Sequence, residues 1–195
     1  MKAIDIIHAE HRALGAILQA FRFILDGIRD HKLKPDFELI GAMIEYITAV
    51  PDTLHHPKED DYLFVKMRER IPAAAALIDK LQADHAEGIR RTHALRDALS
   101  RYQTAGDASF AEFESVARRY IDASWNHMTT EERELLPLAR QGLAPEDWAS
   151  IDAAFKANQD PWSGPTGEFQ SLFSRIVTMV PAPYGVGPEI DAGHQ

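Results

Sequence analysis

The chain has 195 residues, 45% of them hydrophobic, a formal net charge of -9 and no cysteine. That length fits one domain with a sizeable core and an appended terminal segment, and the acidic balance argues against binding through nucleic-acid phosphates. The missing thiols exclude disulfides, thiolate metal sites and cysteine nucleophiles.

The opening, MKAIDIIHAEHRAL, puts acids and histidines where a signal peptide needs an apolar run. No stretch approaches the ~18 uninterrupted apolar residues of a membrane span. A cytoplasmic location without membrane contact is therefore the expectation.

The apolar pattern is helical nearly throughout. Ile4, Ile7, Leu14, Ile17, Leu18 and Phe21 open a stripe of three- and four-residue steps that continues to Ile28. Lys34-Pro35-Asp36 breaks it, with Asp36 able to cap the next helix. That second helix runs from about Phe37 to Arg70 and contains Pro51 and Pro57. Each proline removes a backbone hydrogen bond, so this is either two shorter helices or one helix distorted around something.

A third helix is predicted from about Ala73 to Tyr102, followed by a turn at Thr104-Ala105-Gly106-Asp107. Ser109 with Glu112 reads as a capping box for a fourth, from Phe110 to Arg140 and ending at Gly142. A short fifth helix opens at Pro145 and carries Trp148, Ile151 and Phe155. The remainder is rich in Pro and Gly around a helical patch from Phe169 to Val180. Its apolar residues, Trp162 and Phe173 among them, predict packing on the bundle or on a partner subunit. The architecture expected is all-α: an up-down-up-down four-helix bundle over residues 1–142, with residues 143–195 as an appended helix and tail.

The nine histidines gain meaning from placement. His55-His56-Pro57-Lys58-Glu59 and His127-Met128-Thr129-Thr130-Glu131 repeat one spacing, histidine then glutamate four residues on. On a helix those positions share a face, about 6 Å apart along the axis. An imidazole and a carboxylate so placed can ligate neighbouring metals, and nitrogen with oxygen donors suits iron, zinc or manganese. His11 lies 19 residues before Asp30 and His55 lies 19 beyond Asp36. His55 lies 15 before Arg70 and His85 12 beyond Ala73, and His85 lies 19 before Thr104 and His127 17 beyond Phe110. At ~1.5 Å per residue the mismatches stay within about 5 Å, so four helices bring histidines to about one height.

Other residues read differently. His56 is turned about 100° away and reads as a surface or supporting residue. His8 reads as a non-ligand, His93 is two turns from His85, and His31 and His194 read as exposed. Tyr62, three residues after Glu59, falls on the ligand face, where it would meet a bound ligand or simply pack in the core. Asp84 would orient a ligand or stand solvated, and Glu132 is a second choice for the fourth-helix carboxylate.

These segments, EHRAL at His11, HHPKEDDYLF, DHAEG at His85 and HMTTEERELLP, resemble the hemerythrin-like (HHE cation-binding) domains of bacterial type. The resemblance covers about residues 1–142. It implies a non-haem centre of two Fe ions, oxo- or hydroxo-bridged, held by His11, His55, Glu59, His85, His127 and Glu131. The oxygen carriers of the family have a second histidine four residues along the third helix, where this chain has Ile89. The set of four histidines and two glutamates is similar instead to the iron-repair and iron-sensing branches. Three functions stand as alternatives: a protein that binds or senses O2, NO or iron; an enzyme acting on peroxide or NO, or donating iron for repair; and a bundle whose histidines are incidental. A homodimer is compatible with the apolar tail.

Overall fold

The computed structural model describes residues 1–157 and 165–188, and every regular element among them is helical. Trp162 and His194 lie outside the described residues. Four long rods dominate: α1 (Lys2–Arg29), α2 (residues 37–70), α3 (Ala75–Ala105) and α4 (residues 110–142). Each packs on the next, and α1 also packs on α4, so the four close a ring. Two shorter helices follow, α5 (Pro145–Ala157) and α6 (Pro165–Met179).

The rods begin and end where local chemistry dictates. Asp36 caps α2, its carboxylate accepting from the amides of Glu38 and Leu39 at 3.0 Å each. The capping box expected at Ser109 does not form: Gly106–Ser109 is a 3-10 turn and Ser109 makes no side-chain cap. Glu112 pairs with Arg101 of α3 instead.

Neither α2 nor α4 is uniform. Pro51–His55 and Glu59–Leu63 in α2, and Glu131–Leu135 in α4, are π turns, each widened by one residue. Pro51 and Pro57 thus distort one rod without splitting it.

The core is divided. One apolar cluster gathers Leu18, Phe21, Met43, Leu95 and Phe113 with their neighbours, and a second gathers Ile4, Phe64, Ile78, Leu135 and Ile151 with theirs. Along three rods the break between the two falls at a histidine: His11 between Ile7 and Leu14, His55 between Val50 and Leu63, and His85 between Leu81 and Leu95; on the fourth it falls between Met128, next to His127, and Leu135.

The two short helices close the ends. Trp148, Ile151 and Phe155 of α5 complete the second cluster, and Asp152 accepts from the Ala3 amide at 2.8 Å, capping α1 from outside. Ile176 of α6, with Val180 just beyond it, enters the first cluster. Both therefore pack on the bundle. No helix among the described residues is long and apolar enough to cross a membrane.

Candidate metal centre

Between the two apolar clusters lies a buried polar layer. His11, His55, His85 and His127 are each 9% exposed or less, and Glu59 and Glu131 are fully buried. A π turn ends at His55, another starts at Glu59 and the third starts at Glu131. The extra residue in each turn shifts the register, so these side chains stay inward while the rod continues on its own face.

The imidazoles meet in two pairs. His11 Nε2 is 3.1 Å from His55 Nε2, and His85 Nε2 is 3.2 Å from His127 Nε2. Each glutamate spans both pairs. Glu59 sets Oε1 3.4 Å from His55 Nε2 and Oε2 3.7 Å from His85 Nε2. Glu131 sets Oε2 3.2 Å from His11 Nε2 and Oε1 3.1 Å from His127 Nε2.

None of these four carboxylate oxygens accepts an aligned hydrogen bond among the described residues, though all are out of solvent. Two buried carboxylates without donors are costly, and converging Nε2 atoms add lone pairs rather than donors. What this donor set lacks is positive charge at two points, and a pair of cations fits it. Two of the buried ligand-type groups, His11 with His55 and Glu131, and His85 with His127, Glu59 and Glu131, have donor atoms close enough to hold one ion each.

Behind the imidazoles runs a ring of acids. Glu10 of α1 lies 2.7 Å from His55 Nδ1 of α2, Asp60 of α2 lies 3.0 Å from His85 Nδ1 of α3, and Glu132 of α4 lies 3.0 Å from His11 Nδ1 of α1. Each rod's acid holds the next rod's histidine. An Nδ1–H donated to a carboxylate leaves Nε2 unprotonated and aimed inward, the tautomer a metal ligand needs. The fourth link is open: Asp84 Oδ2 of α3 stops 3.9 Å from His127 Nδ1 of α4, and neither atom has a hydrogen-bond partner among the described residues.

Charge is distributed unevenly over the cluster. Burial disfavours the His55 imidazolium, but Glu59 and Glu10 outweigh it and raise its pKa well above the usual value. Burial likewise opposes the His127 charge, and Glu131 overcomes it. Burial and the facing Glu131 push Glu59 up. Burial opposes the Glu131 charge as well, but His127 and His11 outweigh it and hold that carboxyl well below the usual range. Positive charge is thus favoured at His55 and His127, beside the two glutamates.

His56 stacks on the His85 ring, centroids 4.0 Å apart and planes 18° from parallel, with Nδ1 3.5 Å from Asp52. Burial pushes its pKa down to about 3. A cavity of about 50 Å³ opens beside the cluster, lined by the four central histidines, His56 and the apolar Leu14, Val50 and Met128.

All six residues marked in the sequence converge here. Tyr62 does not: the π turn from Glu59 to Leu63 rotates it outward to 44% exposure. Glu132 supports His11 rather than joining the inner carboxylates, and Asp84 faces His127 rather than its neighbour His85. His93 and His31 are not among the converging histidines, and His8 is half-buried outside the cluster. Nothing in the spacing argument singled out Glu10 or Asp60. The signal for them was present, because an acid flanks an inner residue on every rod: Glu10-His11, Glu59-Asp60, Asp84-His85 and Glu131-Glu132.

Over residues 2–139 the chain matches the family model described as the hemerythrin HHE cation binding domain. The chain belongs to that family. No curated protein and no solved structure matches it. The family is described by its cation binding, and this chain carries a cluster of buried histidine and glutamate able to hold a cation. Ile89, in the place of the carriers' additional histidine, is 53% exposed and contributes nothing to that cluster.

Proposed function

We propose that this chain is a non-haem di-iron protein of the up-down-up-down four-helix type that binds a small diatomic ligand, O2 or NO, at the layer between its two cores. His11 and His55 would hold one iron and His85 and His127 the other, with Glu59 and Glu131 supplying the carboxylates. The observation that carries this reading is the double span of the two glutamates, because a single-ion site needs no carboxylate reaching both imidazole pairs. Iron in such a site supplies open coordination positions and a change of oxidation state.

The protein's own groups do the rest. Glu10, Asp60 and Glu132 fix the imidazole tautomers, and Leu14, Val50 and Met128 form the apolar part of the cavity wall. A water occupies roughly 10–15 Å³ by the same measure of volume. A cavity of about 50 Å³ therefore has room for a diatomic molecule or peroxide. Four imidazoles, without a fifth at Ile89, leave coordination open, which also supports turnover of peroxide or NO.

Metal analysis and an optical spectrum of the anaerobically reduced protein, before and after air, test the reading. Two irons per chain and a new near-ultraviolet band on admission of air are expected. One ion per chain, or none, would end it. Peroxide disproportionation on the same sample separates the enzyme from the binding protein: turnover no faster than that of free iron removes the enzymatic reading for that substrate.

A further inference from the structure

The two halves of the cluster are not equally supported. His11 and His55 both give Nδ1 to a carboxylate, at 3.0 and 2.7 Å. In the other half His85 does so at 3.0 Å, but His127 Nδ1 faces Asp84 across 3.9 Å, with no partner at either atom among the described residues. Loss of one such outer hydrogen bond lowers metal affinity on the order of 10–100-fold, because the imidazole is less basic and less firmly oriented.

A further imidazole leans more closely on the weaker half than on the other, where it meets only the edge of His55, at 5.7 Å. His56 stacks on His85 at 4.0 Å, stands edge-on to His127 at 5.4 Å and carries its own acid, Asp52, at Nδ1. One donor atom from each of His56, His85 and His127 falls within 4.8 Å of the others, enough to share an ion. His56 is half-buried, whereas His85 and His127 are buried, so it stands between them and the outside. A step from the inner pair to His56 exchanges one imidazole donor for another without bare passage through an apolar wall.

We propose that the His85–His127 half is the exchangeable half of the centre, and that His56 is the imidazole on which a divalent cation enters and leaves it. The inference rests on the two-cation reading above.

The test is chelator extraction from protein loaded anaerobically with two equivalents of ferrous iron, followed with a chromogenic ferrous chelator. Two phases of equal amplitude are expected, one iron per chain leaving on the order of tenfold faster than the other. His127→Ala should retain one iron that leaves at the slow rate, and His11→Ala one that leaves at the fast rate. His56→Phe, which keeps the stack and removes the donor, should slow only the fast phase, about fivefold or more, and His56→Gln should slow it too. Circular dichroism melts of each variant confirm that it is folded. A single rate for both irons in the parent protein, a fast phase that survives in His127→Ala, or a His56→Phe variant with unchanged or faster release each overturns the proposal. Failure to load a second iron at all sinks the two-cation reading and the proposal with it, so the two failures are told apart by stoichiometry.

Discussion

The hydroxyl of Tyr120 donates to the carbonyl of Ile47 at 2.8 Å. That carbonyl lies four residues before Pro51, whose missing N–H would otherwise have been its helical donor. A side chain from α4 thus replaces a backbone bond in α2 where the first π turn begins, one turn above His55. Tyr120→Phe leaves the carbonyl buried and unpartnered, at a cost of about 1–3 kcal/mol. A thermal melt reads this as a fall of several degrees, and an unchanged melt would show that water or a neighbour supplies the donor.

The ring of acids makes a separate prediction. Glu10→Ala and Glu132→Ala each remove one acceptor at Nδ1 while leaving all six inner side chains in place. Metal affinity is expected to fall on the order of 10–100-fold, with the fold intact, in a competition titration against a chelator. Full affinity in both variants would deny the acids any orienting role.

Protons and cations compete for the same atoms. His55 and His127 have pKa values raised above 6.5, and the raised Glu59 also favours a proton in the metal-free protein. For groups raised by folding, the stability they contribute is complete below the unfolded value and is lost as pH climbs through the folded one. The metal-free protein should therefore lose stability as pH rises from about 6.5, while metal affinity grows over the same range because fewer protons must be displaced. Melts with and without metal should diverge steadily from about pH 6 to about pH 8. A metal-induced gain in Tm that is flat or shrinking across that range would contradict the assignment.

Tyr62→Phe should change neither metal content nor peroxide turnover. The residue faces outward and is 44% exposed, so its hydroxyl reaches nothing at the centre. A loss of either property would mean that α2 turns in solution by more than the π register allows.

Asp152 holds the first turn of α1 from α5. Asp152→Ala is expected to cost about 0.5–2 kcal/mol, the usual worth of a helix N-cap. Amide exchange should quicken at Ala3 and Ile4 and leave the first apolar cluster untouched.

Much of this was legible in the amino acids alone. A 3.6-residue apolar stripe, Asp36 as a cap and two His-x-x-x-Glu spacings required no partner to be recognised, because helical periodicity and capping act within a few residues. They determined that the chain is helical and paired His55 with Glu59 and His127 with Glu131, while His11 and His85 joined them through the height argument and the family resemblance. The tertiary structure decided what lies between and behind them. Glu10 finds His55 and Glu132 finds His11 across separations of 45 and 121 residues, and no local pattern encodes such pairings. The π turns were equally hidden: one added residue per turn keeps His55, Glu59 and Glu131 inward and swings Tyr62 out, a choice set by packing of the two cores on either side rather than by the residues in the turn.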